Sequence, residues 1–517
     1  MRRQDIQLVA LARQGDRQAR LELGRRYLLG IDGFARHVEM GIEYLQHPSV
    51  KGSEAAVAII GESLPLQDIL RHGQLDALDV AARAGHPAAR IKRAAWWLIA
   101  EDRSAQALQA LREAALQGHA LARSAVQAVT AQALPAQQSI AALRALSSPA
   151  WLDAADVSEW AARQALDAGL PERAARALRQ ADALHGDMTE TLHDLAVQIL
   201  AHAANSGADV AALSVDLAER ALESRVRAGD VEASHLLGLA LCGLDAGALR
   251  ASRLTTASNV RRGAALLLRA ADAGRDDAWL QLYRLHANHR LSVANPQMAR
   301  FFLEKSAAHG HAEAQRRLGA LMLRASGSLA ETEQAVGWLH QASVQGDASA
   351  ASLLASLVLP LPGRDEDARA AVDRVRREDP WLATRMVLAR EFGLTKLEAL
   401  CVDPVQGQRP WGLVVGRNPF VSQARRAAPR AVPARRAQAL EELRRAAVLF
   451  AQALREDAPG EDHFRRRTIQ QRRLFARLGI DEAMFFAQAS STELDVLRQG
   501  PKWAHRAKDD LEEALAA

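Results

Sequence analysis

The feature that most constrains this chain is a glycine that returns along its length with an alanine always four residues behind it. The glycines are Gly15, Gly52, Gly85, Gly118, Gly229, Gly274, Gly310 and Gly346, and most neighbouring steps are 33 to 37 residues. The step from Gly229 to Gly274 is 45 and implies a longer loop around Arg253 to Asn259. A period of this length marks stacked supersecondary units, each too small to bury its own apolar face. At 517 residues the chain also exceeds the size at which a single hydrophobic core stops growing.

The residues that follow each glycine describe a helix face. Four positions on stand Ala19, Ala56, Ala89, Ala122, Ala233, Ala278, Ala314 and Ala350. Eight positions on stand Leu23, Ile60, Leu237, Leu282, Leu318 and Leu354, with Arg93 and Val126 in two divergent copies. Tyr27, Leu64, Trp97, Leu241, Met322 and Val358 continue the series. A spacing of four places all of them on one helical stripe, here termed helix A. The ninth position is small (Gly24, Gly61, Ala94, Gly238, Gly319, Ala355), which lets a second helix approach closely. That second helix, helix B, precedes each glycine, as in ARFFLEKSAAHG and AVGWLHQASVQG. The glycine then ends it in the left-handed conformation. Asp16, Ser53, Asp230 and Asp347 are placed as N-caps of the next helix, and Pro87 suits a first turn. Aromatic residues are only 4% and β-branched residues are scattered, so the expected class is all-α.

The pattern in GDRQARLELGRRYLLGIDGF and GHAEAQRRLGALMLRASGSLAETEQAVGWLHQASVQG closely resembles the Sel1-like repeat family, a relative of the tetratricopeptide repeats. The resemblance implies an α-solenoid of antiparallel helix pairs whose concave side binds protein partners. It divides the sequence into Sel1-like repeats at 1–129 and 226–362, with divergent tetratricopeptide-like pairs at 130–225 between them. An uninterrupted stack is expected, with a hinge near Pro135 or Gly207 as the alternative. Family members are often exported; the short, Gln7-interrupted apolar start of this chain reads instead as helix, and a cytoplasmic protein is expected.

Beyond 362 the glycine register stops. Residues 363–400 read as transitional helices, 401–435 as an irregular Gly/Pro-rich loop and exposed linker with one short strand at Gly412 to Val415, and 436–517 as an arginine-rich helical region. Helices are expected at 365–378, 382–391, 436–456, 461–478, 481–489, 492–499 and 501–515, with a capping-box spacing at Ser490 and Glu493. Residues 401–517 hold 20 basic and 15 acidic side chains, which accounts for the whole formal charge of +5. Between 417 and 477 there are 15 arginines against 6 acids. Arg425, Arg426, Arg430, Arg435 and Arg436 form one cluster, and Arg465, Arg466, Arg467, Arg472 and Arg473 another. Such density suits phosphates or an acidic protein, against the alternative of a solvated helix face. Trp411, among glycines and prolines, is the best single candidate for a partner contact, with packing at the end of the repeats as its alternative. Residues 475–500, FARLGIDEAMFFAQASSTELDVLRQG, resemble part of the D subunit of the flagellar master transcriptional regulator, which implies partnership with a DNA-binding subunit.

Chemistry is not indicated. There is no phosphate-binding loop, since Leu413 stands where its lysine belongs, and no nucleophile elbow or zinc-protease motif. His286 and His289 lack a third ligand, while His86, His119 and His311 follow marker glycines at places set by repeat geometry. Trp96 and Trp97 are expected to be one core residue and one exposed anchor. Cys242 and Cys401 are too far apart in sequence to suggest a disulfide framework or zinc site. The expectation is a non-enzymatic interaction scaffold without cofactor or metal, with a nucleic-acid-associated regulator as the alternative. Its partners would be proteins on the repeats, and nucleic acid or an acidic protein at the C-terminal third.

Overall fold

The computed structural model describes residues 3–101, 103–132, 134–148, 152–184, 188–415, 429–455, 464–489 and 508–516. It is all-α apart from one small sheet, and it divides into two compact units, Met1–Ala273 and Gly274–Ala517.

In the first unit the helices A are Arg17–Leu29, Glu54–Ser63, Pro87–Ile99, Ala120–Thr130 and Val231–Leu241, and the second unit contributes Asp277–Ala287, Ala312–Ala325 and Ala348–Ser356. All eight register alanines are buried, at 5% exposure or less. All eight marker glycines have positive φ, from 72° at Gly52 to 101° at Gly15 and Gly85. The hydrogen bonds explain why. At Gly310 the glycine amide donates to the Ala307 carbonyl (3.1 Å) and the next amide, of His311, donates back to Ser306 (3.3 Å), and the same pair recurs at Gly229 and Gly346. This is the Schellman closure, which needs a residue without a Cβ penalty at its left-handed position. Gly52 is the exception in context: helix Val38–Leu45 ends seven residues earlier, before Pro48, and Gly52 serves a following turn.

The N-caps also form as expected. Asp16, Ser53, Asp230 and Asp347 accept from the amides of Ala19, Ala56, Ala233 and Ala350, so the alanine both lines the core and closes its own helix start. The ninth-position glycines mark close helix approach. A Cβ on Gly319 would meet the Leu339 side chain at 2.8 Å and the Ala335 carbonyl at 2.9 Å, and one on Gly238 would meet the Gly263 carbonyl at 3.1 Å.

Residues 134–227 continue the stacking within the first unit. The pair Ala154–Asp167 and Pro171–Leu184 packs directly on helix Pro87–Ile99, with Trp160 against Trp96 (5.8 Å between ring centres) and the Gln180 amide donating to the Leu98 carbonyl at 2.7 Å. Trp96 is therefore core, whereas Trp97 is half-buried beneath the Arg93 guanidinium, 5.0 Å from its ring centre.

The second unit departs from the expected loop. Strands β1 (Gln408–Arg409), β2 (Gly412–Val415) and β3 (Arg430–Pro433) form an antiparallel sheet in that order, with Leu413 opposite Val432 and Val414 opposite Ala431. Residues 430–433, read from sequence as exposed linker, are buried throughout. The sheet alternation divides its side chains between two cores. Leu413, Val415 and Val432 join the helices Asp365–Arg376, Pro380–Glu391, Ala437–Arg455 and Phe464–Leu478, while Trp411, Val414 and Ala431 join the repeat helices Ala312–Ala325, Leu329–Val344 and Ala348–Ser356. Gly412 is required here because a Cβ would collide with the Val432 carbonyl. The helix expected at 481–489 is reduced to a single 3-10 turn, Glu482–Met484, whose flanking Phe485 and Phe486 pack on Phe475. The capping pair Ser490 and Glu493 and the helix at 492–499 lie outside the described residues, and of 501–515 only a helix Lys508–Ala516 is described.

Candidate interaction surfaces

The arginines of the C-terminal third separate into two kinds. Arg430 is a core residue: its side chain is 1% exposed, its Nε and Nη2 donate to the two Glu398 carboxylate oxygens at 2.7 and 2.9 Å, and Nη2 also reaches the Gly393 carbonyl at 3.2 Å. Burial alone would raise the Glu398 pKa, but Arg430 beside it, with the Thr395 capping box, holds it below the usual carboxylate range. Arg436 is tied to Glu391 and Asp365. Arg435 has its pKa lowered, first by desolvation and then by the charge of Arg436. Arg430 and Arg436 are thus engaged by carboxylates of the protein itself, whereas Arg435 is exposed. Arg425 and Arg426 lie outside the described residues.

The second cluster sits on helix Phe464–Leu478, which contains six arginines and no acid. Its inner face is Gln471, Leu474 and Phe475, all buried. Arg467 turns inward and donates to the Leu400 carbonyl at 2.8 Å, and Arg477 pairs with Glu378. Arg465, Arg466, Arg472 and Arg473 remain exposed, and none forms a salt bridge to a described residue. Their spacing, with Ile469 between them, places all five on one face. Ile469 is 52% exposed, with arginines four and three residues before it and three and four residues after it on the same helix.

Trp411 is not on any surface. It is 7% exposed, and its indole lies against Gly337 of helix Leu329–Val344 within a cluster that includes Val336, Leu339 and Leu353. Packing against the repeat helices accounts for it, because the three-stranded sheet carries Trp411 there.

Other polar groups are structural or scattered. Lys92 is 1% exposed and its ammonium donates to the carbonyls of Gly61, Glu62 and Leu64 at 3.0, 2.9 and 2.6 Å, the end of helix Glu54–Ser63. Burial pushes its pKa down to about 8. The Cys242 thiol is pushed up to about 11 by burial, which keeps it protonated and unreactive. Among the described residues no group of three His, Cys, Asp or Glu is arranged to hold a metal ion, and no helix is long and apolar enough to cross a membrane.

No family model matches the sequence, and no curated protein matches it. The chain is similar to several solved structures. One is a protective antigen of uropathogenic Escherichia coli displaying an SLR fold, 18% identical, with 99% of this chain and 96% of that one covered at a TM-score of 0.29. Another is a Sel1 repeat protein from Oxalobacter formigenes, 19% identical, with 68% of this chain and 89% of that one covered at a TM-score of 0.26. The architecture stands on this chain's own geometry: left-handed marker glycines, buried register alanines and close-packed helix pairs make it an all-α protein of repeated helix pairs.

Proposed function

We propose that this chain is a non-catalytic scaffold that engages an acidic protein surface through the outer face of helix Phe464–Leu478. The observation that carries this reading is the arrangement of Arg465, Arg466, Arg472 and Arg473, exposed and without salt bridges to described residues, around exposed Ile469. Arginine around an apolar anchor is the chemistry of a protein interface, where the anchor loses water and the rim supplies charge-assisted hydrogen bonds. Phosphate binding has no use for the isoleucine. The repeats supply presentation, and Cys242 and Cys401, neither of them in a disulfide, suit a reducing cytoplasm.

The test is co-purification from the native host with tagged full-length chain, wild type against R465E/R466E/R472E/R473E and against I469D. Loss of the same partner from both variants supports the reading. Equal recovery overturns it. The nucleic-acid alternative is tested separately by titrating duplex DNA at rising salt: specific binding whose affinity falls steeply with salt, abolished by the arginine reversals and untouched by I469D, would replace the protein surface with a phosphate backbone.

A further inference from the structure

Arg316 and Ser352 lie 36 residues apart, each the sixth residue after a marker glycine, so they occupy equivalent places on two successive helices A. Both reach the same object, the short helix Lys508–Ala516. Arg316 donates from Nη1 to the Ala514 carbonyl and from Nε to Asp347 at 2.9 Å, and the Ser352 hydroxyl donates to the Asp510 carboxylate at 3.1 Å. Arg316 is itself only 3% exposed. It is a buried cation aimed at the C-terminal end of a helix, where unpaired carbonyls and the macrodipole favour positive charge.

The helix it holds is a guest in form. It contributes a narrow stripe, Leu511 at 2% and Ala514 at 0% exposure with Leu515 partly buried, to one cluster with Ala320, Leu353 and Leu357. Asp509, Glu512 and Glu513 are exposed. Nine residues are too few for a helix to be stable by itself in water, so its order comes from the groove. The groove reads features that many helices share: a leucine and alanine at i and i+3, a carboxylate one residue before the leucine, and backbone carbonyls at the end.

We propose that this groove, running across Arg316 and Ser352, is a helix-binding site of the repeats, and that Lys508–Ala516 is its tethered resident, displaced by a partner protein's acidic amphipathic helix bearing the same Asp-Leu-x-x-Ala-Leu spacing. This rests on the scaffold reading above and gives the repeats their own partner chemistry, separate from the arginine face. Because the resident belongs to the same chain, it competes at an effective concentration on the order of millimolar. An incoming helix must exceed that, so the contact is autoinhibitory.

The test uses full-length chain and a fluorescent peptide of residues 506–517. The variant L511D/A514D expels the resident helix and leaves every groove residue in place. Anisotropy should show the peptide binding this variant at least tenfold more tightly than wild type, with R316Q in the same background reducing the gain. Equal binding to wild type and variant, or no saturable binding to a variant with wild-type circular dichroism, overturns the proposal and makes the helix a fixed part of the fold. Should the variant fold poorly, hydrogen exchange on the wild type decides. Amides of 509–516 should exchange at least a hundredfold faster than those of 312–325, and equal protection overturns the proposal. A wild-type dimer that L511D/A514D dissolves would assign the groove to a second copy's helix and overturn the tethered arrangement. None of these outcomes depends on the arginine face, so failure here and failure of the co-purification remain distinguishable.

Discussion

Lys92 in the first unit and Arg430 in the second are both buried cations, and they solve different problems. Helix A Arg17–Leu29 ends on left-handed Gly30, whose amide closes onto the Arg26 carbonyl. Helix Glu54–Ser63 ends at Leu64 and Pro65 without one, and the Lys92 ammonium, one repeat further on, takes its carbonyls instead. Arg430 satisfies no helix end. It joins β3 to the helix Lys396–Cys401 through Glu398, fastening an irregular region that has no repeat register. Where the chain repeats, order is local and a charge enters as a substitute for a missing glycine. Where it does not repeat, a buried ion pair fixes which segments meet.

The difference is broken most severely by Arg430→Ala, which strands the Glu398 carboxylate in the core and should cost about 3 to 5 kcal/mol by chemical denaturation. A paired R430M/E398L replacement should recover much of that loss, since apolar substitutes for a buried pair are often neutral. No recovery would mean that the pair specifies geometry as well as satisfying charge.

Lys92 should show itself in pH. Its folded pKa of about 8 lies below the unfolded value of about 10.4, so between these the unfolded chain binds more protons and stability must rise with pH. Wild type should gain about 3 kcal/mol over that interval, and Lys92→Met should lack the gain. Parallel profiles for the two proteins would place the depressed ammonium elsewhere.

Within one repeat, Gly319 and Gly310 test steric against conformational need. Gly319→Ala drives a Cβ into Leu339 and the Ala335 carbonyl, and Ala314→Leu overfills a position with no exposure; each should cost about 1 to 3 kcal/mol. Gly310→Ala meets nothing within 4 Å and is opposed only by its φ of 91°, so about 1 kcal/mol is expected. Reversal of that order in thermal melts would mean that helix contact in the repeats yields more easily than backbone conformation. Smallest of all, R465E/R466E should leave stability within about 0.5 kcal/mol, as befits exposed side chains without salt bridges to described residues. A larger drop would show that the arginine face is structural.

The repeats were legible because their determinants lie within a few residues of one another: Asp347 caps through Ala350, and Gly310 closes onto Ala307 and Ser306 through its neighbour. The second unit was legible in its helices and misread in its sheet. Residues 430–433 look like linker because Pro429, Pro433 and flanking arginines signal exposure, yet their partner strand lies beyond the intervening residues. The same pairing buried Trp411 and converted Arg430 from a surface charge into a core one. The exposed arginines at 465, 466, 472 and 473 were found by density alone, whereas Arg467, their immediate neighbour, could not be told apart from them until its helix had a neighbour to face. No sequence signal marked Arg316 and Ser352 as a pair, although the repeat register gives them the same place.

Sequence alone determined the helix pairs, their ends and the stripe that each buries, because caps, left-handed glycines and i, i+4 faces are short-range consequences of residue type. Tertiary structure decided which charges are core and which are surface, and what lies in the groove across successive helices A. Those outcomes depend on which distant segment arrives at a given face, and burial of a charge is settled only by the partner that meets it there.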